Sequence, residues 1–369
     1  MWGDIAIAFL LAFVTAFIGT PYTIKLARKV GALTVPNNRN INNKPIPRIG
    51  GIAVIVGFIL SAAYLTITMC IENKLDLNDT DNYKIKLLGF LLGIILISIF
   101  AYLDDLKNLK PYIKLSVQVI SAIIIYIAGI RIDVINGIQI PDIVSFMLTV
   151  GWIVGITNAI NLIDGLDGLS SGITLISCLF LLIIFTANYS PLISIILVTA
   201  LAGSIVGFMP YNMHPAKTFI GDVGAQFLGF ALSVISILGV AKTVTLFVLI
   251  APILVLGLPI FDTLFAIIRR IVKGKSLKAV FSADKGHLHH RLMKKGYTQK
   301  QAVAILYAAS TTLGLLAIIL IDEGIWKSLS FMLIILAIIA FGYKEIKKYK
   351  RAVIRENIRL KLVKKEDLK

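Results

Sequence analysis

The chain has 369 residues, of which 57% are hydrophobic and only 15% charged, with a mean hydropathy of +0.88. A soluble domain carries about a quarter charged residues, so this composition excludes an ordinary water-soluble fold. The formal net charge of +17 would suit nucleic acid, but the basic residues are distributed as in a membrane protein and no nucleic-acid partner is expected.

Eleven apolar segments follow one another, at about 4–24, 49–71, 85–103, 112–130, 143–158, 170–187, 191–211, 226–240, 243–268, 301–321 and 325–343. Runs near ~20 residues span a bilayer as a helix, and a lipid-exposed backbone must satisfy its own hydrogen bonds. The expected fold is therefore all-α, a polytopic integral membrane protein with about 11 transmembrane helices. The first segment has no basic residues ahead of it and no small-residue cleavage site, so it reads as a retained span rather than a signal peptide. Cys70 and Cys178 both lie inside apolar runs, which argues against a disulfide framework or a cysteine-based metal site.

An odd number of spans puts the termini on opposite sides and makes the loops alternate. Of the 37 Lys and Arg residues, 31 fall on one set (about 25–48, 104–114, 159–169, 212–225, 269–300 and the tail from Lys344) and 6 on the other. Positive loops stay inside, which predicts the N-terminus out, the C-terminus in and the first set of loops cytoplasmic. Residues 1–343 are then the membrane domain and 344–369 a basic cytoplasmic tail, either a solvated anchor or a helix lying on anionic headgroups. On the outer side, RIDVINGIQIPD alternates apolar and polar residues around Asn136-Gly137, a hairpin signal.

The acidic residues gather on the inner side. Asp104 and Asp105 end the third span, Asp164 and Asp167 follow the fifth, Asp222 precedes the eighth, and Asp262 sits near the inner end of the ninth. Ionisable groups at the edge of the hydrocarbon are functional candidates. Plainer uses exist: Asp167 and Asp222 can cap helices, and Asp104-Asp105 can be a solvated helix end. Capping, however, needs one carboxylate per helix and the pairs supply two. Clusters of Asp and Asn oxygens, with Asn158, Asn161 and Asn212 on the same face, suit Mg²⁺ or Mn²⁺ together with substrate phosphates.

The inner loop 269–300 holds His287, His289 and His290 with Lys285, Arg291 and further basic residues, a composition suited to phosphate or nucleotide binding. The ninth segment carries Pro252 and Pro259, and a helix bent there opens a groove from the membrane to the inner face. Acidic metal-type ligands and a basic loop beside lipid fit phosphoryl transfer. An ion-coupled transporter would instead show midplane charges and pseudo-symmetric repeats, and a scaffold would need none of these carboxylates.

Five motifs in order, AYLDDLKNLKP, NAINLIDGLDGLSSG, PYNMHPAKTFIGDVGAQFLG, LPIFDTLFAIIRR and ADKGHLHHRL, resemble the polyprenyl-phosphate N-acetylhexosamine-1-phosphate transferases, the WecA/TagO/MraY group. The resemblance covers about residues 20–300 and is nearest the WecA/TagO type, because Arg291 follows the histidine pair. It implies transfer of N-acetylglucosamine 1-phosphate from UDP-N-acetylglucosamine to undecaprenyl phosphate in the cytoplasmic membrane, with Mg²⁺ or Mn²⁺. This is the first membrane step of a cell-envelope glycopolymer such as teichoic acid or O-antigen. UDP-N-acetylmuramoyl-pentapeptide is the alternative donor, and a homodimer is a common assembly among relatives.

Residue by residue, the resemblance assigns Asp104 and Asp105 to the lipid phosphate and catalysis, with Lys114 near the phosphates. It assigns Asn161 and Asp222 to the metal. Asp164, Asp167 and Asn212 surround the nucleotide, Asp164 and Asp167 counting with the catalytic carboxylates and Asn158 with the substrate contacts. Lys285, His287, His289, His290 and Arg291 hold the sugar-nucleotide, and Lys44 and Arg48 belong to the loop before the second span. Two departures stand out. Thr34 and Val35 precede Pro36 where many relatives have an acidic residue, with Asn42 in place of a histidine; Lys107 and Asn108 follow Leu106 where a third acidic residue would fall.

Overall fold

The computed structural model describes residues 2–34, 45–73, 82–135, 137–240, 246–274 and 286–366. It forms two compact units, Met1–Ile318 and Ile319–Lys369. The helices are α1 (Trp2–Val30), α2 (Gly51–Ile71), α3 (Tyr83–Lys107), α4 (Pro111–Ile127), α5 (Asp142–Ile163), α6 (Leu169–Ala187), α7 (Leu192–Asn212), α8 (Gly221–Val240), α9 (Leu246–Val255), α10 (Gly257–Gly274), α11 (Leu288–Lys294) and α12 (Gln299–Glu366). Among the described residues, eight of these (α1, α2, α3, α5, α6, α7, α8 and α12) are long and apolar enough to cross a membrane. The chain is a multi-pass membrane protein.

All-α needs a small amendment. β1 (Leu33–Thr34) pairs antiparallel with β2 (Ile46–Pro47), and β3 (Val134–Ile135) pairs with β4 (Ile138–Gln139). The second pair is the hairpin expected around Asn136-Gly137, with Gly137 at φ 76°. The first was not foreseen, since two-residue strands carry no periodicity.

The expected ninth span is not one continuous helix. α9 stops at Val255 and α10 starts at Gly257. Pro259 has no N–H to offer the carbonyl of Val255, and the Ser177 hydroxyl donates to that carbonyl instead, at 3.3 Å. The last two expected segments lie on the single α12, interrupted at Gly324, where φ is 76° and ψ is −174°.

α8 is the axis of the first unit. It touches α2, α3, α5, α6, α7 and α9, and every residue from Val223 to Val240 is buried. A helix apolar all round has to be enclosed in this way. Phe227 and Phe230 of α8 meet Phe58 of α2 and Phe90 of α3, with centroids of 5.5 Å for Phe58–Phe227 and 6.0 Å for Phe90–Phe230. Association in lipid depends on such packing rather than on water exclusion, and each aromatic pair contributes about 0.5–1.5 kcal/mol beyond its area. This packing fixes α3, which ends in Asp104-Asp105, against α8, which begins at Asp222.

Candidate active site

The inner end of α8 is built by backbone zippering. Phe219 N donates to Pro47 O at 2.8 Å, Gly50 N to Phe219 O at 3.0 Å and Gly51 N to Ile220 O at 2.9 Å. Residues 47–51 are thereby joined to the segment entering α8. Gly221 turns that corner at φ 72°, and a Cβ there would collide with the Arg48 carbonyl and crowd the Asp105 carboxylate, so only glycine fits.

Asp105 caps α8 from another helix. Its Oδ1 accepts from Asp222 N at 3.1 Å and its Oδ2 from Val223 N at 2.9 Å, two of the amides a helix start leaves unpaired. Asp222 therefore does not cap α8 itself. Arg48 approaches Asp105 from the other side, with Nε 3.9 Å from Oδ1 and Nη2 donating to the Asp105 carbonyl. Asp104 and Asp105 are 1% and 2% exposed, which rules out a solvated helix end.

Lys114, at the start of α4, is the cation at the centre. It pairs with Asp104, and its Nζ stands 3.5 Å from Asp222 Oδ2. Asp104 Oδ1 also accepts from Leu109 N at 2.7 Å. Asp222 keeps a third of its side chain exposed and faces the open side. Asn161, in the last turn of α5, is half-buried, and its side-chain amide forms no hydrogen bond among the described residues.

Asp164 and Asp167 belong to the same cluster. Asp164 Oδ1 accepts from Ser170 Oγ at 2.6 Å. Burial raises its pKa to about 7, the nearby charges of Asp222 and Asp167 push the same way, and the Ser170 hydroxyl opposes them. Asp167 does not cap α6, whose N-cap is Gly168. Its Oδ2 instead takes His214 Nδ1 at 2.7 Å and Ala216 N at 3.2 Å. Asn212 accepts from Ser171 Oγ at 2.8 Å and donates to Thr218 O at 3.1 Å. These bonds hold the 213–219 loop against the start of α6.

The histidines form a packed module beside this cluster. His287 Nδ1 is 2.9 Å from Asp262 Oδ2, and Leu288 N donates to Asp262 Oδ1 at 2.9 Å. The His287 and His289 rings are parallel at 6.0 Å, and the His289 and His290 rings lie 4.1 Å apart. His289 presses on Gly165, where a Cβ would overlap its imidazole. Burial lowers the pKa of His289 to about 4, helped by the neighbouring His290 and His287 charges, and Asp262 only partly offsets this. Leu288, Leu292 and Met293 of α11 pack on a core of Ile163, Leu166, Leu169 and Leu258, which fixes the module beneath the Asp164–Asp167 turn.

The structure therefore brings together Arg48, Asp104, Asp105, Lys114, Asp164, Asp167, Asn212 and Asp222, with Asn161 on the adjoining turn and His287, His289 and His290 against Gly165. Arg291 is exposed on α11. Asn158 is turned to Gln118, with Nδ2 2.6 Å from Oε1. Lys44 and Lys285 lie outside the described residues. Two participants escaped the list of site residues: His214, whose partner Asp167 is 47 residues away, and Asp262, the anchor of His287. A lone carboxylate in the apolar LPIFDTLF motif was the available signal for Asp262.

An apolar cavity of about 540 Å³ runs along α5, from Ile135 of the β3–β4 hairpin past Gly151 and Gly155 to Ala159, and is closed by Pro252 and Ile253 of α9 and Ile260 of α10. The break between α9 and α10 borders it.

The family described as glycosyl transferase family 4 matches residues 87–240, the stretch carrying Asp104 through Asp222. A probable undecaprenyl-phosphate N-acetylglucosaminyl 1-phosphate transferase of Bacillus subtilis is 37% identical over 340 residues, covering 90% of this chain and 89% of that protein. A decaprenyl-phosphate N-acetylglucosaminephosphotransferase of Mycobacterium leprae is 31% identical over 333 residues, 82% of this chain and 80% of that one. A phospho-N-acetylmuramoyl-pentapeptide-transferase of Streptococcus agalactiae is 29% identical over 248 residues, 62% of this chain and 70% of that protein. The chain belongs to glycosyl transferase family 4, the polyprenyl-phosphate N-acetylhexosamine-1-phosphate transferases that its five motifs resemble.

Proposed function

We propose that this protein transfers N-acetylglucosamine 1-phosphate from UDP-N-acetylglucosamine to undecaprenyl phosphate, giving undecaprenyl-diphospho-N-acetylglucosamine and UMP. The observation that carries the reading is the cluster of carboxylates Asp104, Asp105, Asp222, Asp164 and Asp167 at one end of the bundle, with Lys114 set between Asp104 and Asp222. The relatives that match over most of the chain carry N-acetylglucosamine 1-phosphate transferase names, whereas the pentapeptide transferase aligns with only 62% of it. This favours UDP-N-acetylglucosamine over the muramoyl-pentapeptide donor.

A divalent cation suits the donor set. Five carboxylates face Lys114, Arg48 and His214, an excess of hard oxygen ligands. No group of three or more His, Cys, Asp or Glu is placed as a ready cage among the described residues. Mg²⁺ typically takes one or two carboxylates and completes its shell with waters and substrate phosphates. Asn161 and Asp222 would hold it, the first with an uncommitted amide and the second with a carboxylate that is one third exposed. Bound there, Mg²⁺ or Mn²⁺ supplies charge neutralisation to the donor diphosphate.

The protein's own residues position the rest. A lipid phosphate oxygen attacks the β-phosphorus of the donor, and the bond from that phosphorus to the oxygen bridging it to the α-phosphorus breaks, releasing UMP. The lipid phosphate is already largely ionised near pH 7, its second pKa being ~6, so it needs little help from a base. Asp104 and Asp105 are committed to Lys114, Leu109 N and the α8 amides, which disfavours either as a covalent nucleophile; with Asp222, the other candidate, given to the cation, direct displacement is the favoured route. Lys114 and Arg48 hold positive charge towards the phosphates. The histidine module, anchored beside Asp164 by Gly165, receives the sugar-nucleotide, and the apolar cavity along α5 receives part of the isoprenoid chain.

Eleven crossings, with the N-terminus outside and the site facing the cytoplasm, follow if α4 counts as a span, α9–α10 as one broken span and α12 as two parted at Gly324. The basic 344–369 stretch is then a cytoplasmic tail. The test uses purified protein, undecaprenyl phosphate and sugar-labelled UDP-N-acetylglucosamine, with Mg²⁺, with EDTA and with Asp222→Ala. Label entering the lipid phase only with metal and intact Asp222 supports the reading. Transfer from UDP-N-acetylmuramoyl-pentapeptide alone would move the donor, and no metal-dependent transfer from any UDP-sugar would overturn the reading.

A further inference from the structure

Three amides, two of them fully buried, cross the bundle just beneath the ionic site. Asn158 of α5 donates through Nδ2 to Gln118 Oε1 of α4 at 2.6 Å, and Gln118 donates through Nε2 to Gln226 Oε1 of α8 at 3.3 Å. Gln118 and Gln226 are 1% and 2% exposed. The second Asn158 Nδ2 hydrogen goes to Val154 O at 2.8 Å, so its amide orientation is fixed.

The placement of these residues is systematic. Gln118 follows Lys114 by four residues on α4, Gln226 follows Asp222 by four on α8, and Asn158 precedes Asn161 by three on α5. Residues three or four apart share a helix face. Each amide therefore sits one turn deeper in the bundle than one member of the ionic site, on the same face. Apolar helix surfaces in lipid tolerate axial slippage because one methyl contact replaces another, whereas a buried amide pair has a single favourable register.

We propose that the Asn158–Gln118–Gln226 chain is a positioning device: it fixes the axial register of α4, α5 and α8, and so the spacing among Lys114, Asn161 and Asp222 that admits a divalent cation and the donor diphosphate. Neither glutamine touches substrate; both act through the residue one turn above. The inference rests on the reading of Asn161 and Asp222 as cation ligands.

The test compares Gln118→Met, which keeps the side-chain length and removes both bonds, with the double variant Gln118→Met, Gln226→Met. Leaving buried amides unpaired destabilises, whereas replacing both partners by apolar groups is close to neutral, so the double variant, in which only Asn158 still lacks its partner, regains part of the thermal unfolding midpoint that the single variant loses in detergent. Mn²⁺ affinity is read by electron paramagnetic resonance of free Mn²⁺, without substrates, and KM is measured separately for each substrate. The expected result is Mn²⁺ affinity about tenfold weaker in both variants, in line with the loss of a buried hydrogen bond. KM for UDP-N-acetylglucosamine rises in parallel and KM for undecaprenyl phosphate is unchanged.

A double variant that regains Mn²⁺ affinity together with stability would show a merely structural role and overturn the proposal. So would a wild-type protein that binds no Mn²⁺, since nothing would then be positioned. Wild-type protein that binds Mn²⁺, weakened in both variants, yet transfers nothing from UDP-N-acetylglucosamine would support the positioning role while removing the proposed donor.

Discussion

Asp262 and His287 are 25 residues apart in the chain and 2.9 Å apart in space, both almost fully buried. The same carboxylate receives Leu288 N, so one side chain of α10 sets both the ring orientation of His287 and the start of α11. Asp262→Ala removes both bonds at once. Hydrogen bonds to charged groups contribute about 1.5–3 kcal/mol, so KM for UDP-N-acetylglucosamine is expected to rise about 10–100-fold. KM for undecaprenyl phosphate should stay near the wild-type value. Steady-state kinetics with each substrate varied in turn checks this, and equal changes in both would contradict it.

Asp105 makes a different demand. Its two oxygens satisfy two amides at the start of α8, and Asp105→Ala leaves those amides unpaired. Losing a cap costs roughly 0.5–2 kcal/mol, and burial of the amides places the effect near the upper end. The unfolding midpoint in detergent is expected to fall. Asp105→Asn, which keeps one acceptor oxygen, should fall between the wild type and the alanine variant.

Gly165 is where the histidine module touches the turn between α5 and α6. A methyl group there occupies the space of the His289 imidazole, and forced overpacking costs about 1–3 kcal/mol. Gly165→Ala should therefore displace the module. Faster limited proteolysis within 286–296, with weaker donor binding, is the expected outcome; an unchanged digestion pattern would show that the ring is not held there.

The pH dependence follows from His289. Its pKa in the folded protein is about 4, below the ~6.5 of an unperturbed histidine, so the unfolded chain binds the proton more tightly. The contribution is complete above about pH 6.5, declines as the pH falls towards 4 and is lost below that; its full size is roughly 3 kcal/mol. His289→Gln removes the titrating ring. Between pH 7 and pH 4.5 the unfolding midpoint of the wild type should fall further than that of the variant, and parallel curves would contradict the assignment.

Much of this architecture could be read from the residues. Runs of apolar side chains gave the helices, Asn136-Gly137 gave the hairpin, and the carboxylates already stood at helix ends on one side. The partners of those carboxylates were less legible. Nothing near Asp167 in the chain points to His214, and Asp105 gives no sign that it caps a helix starting more than a hundred residues later. The break at Val255 was only half visible: Pro252 and Pro259 signalled a bend, but the Ser177 hydroxyl that replaces the missing donor comes from α6. Asn158 stands in the sequence with Asn161 and Asn212 as an amide on the inner face, and the resemblance counts it with the substrate contacts. In the fold its amide turns to Gln118, a residue whose single position in an apolar helix carried no signal.

α8 is enclosed by other helices along its length and presents no face to lipid. A bilayer that thickens or thins acts on a helix by altering its tilt, through the mismatch between its apolar length and the hydrocarbon. That strain falls on peripheral helices such as α1, which exposes apolar side chains from Ile7 to Leu26. Asp222, carried on a shielded central post, is kept out of contact with the lipid around it.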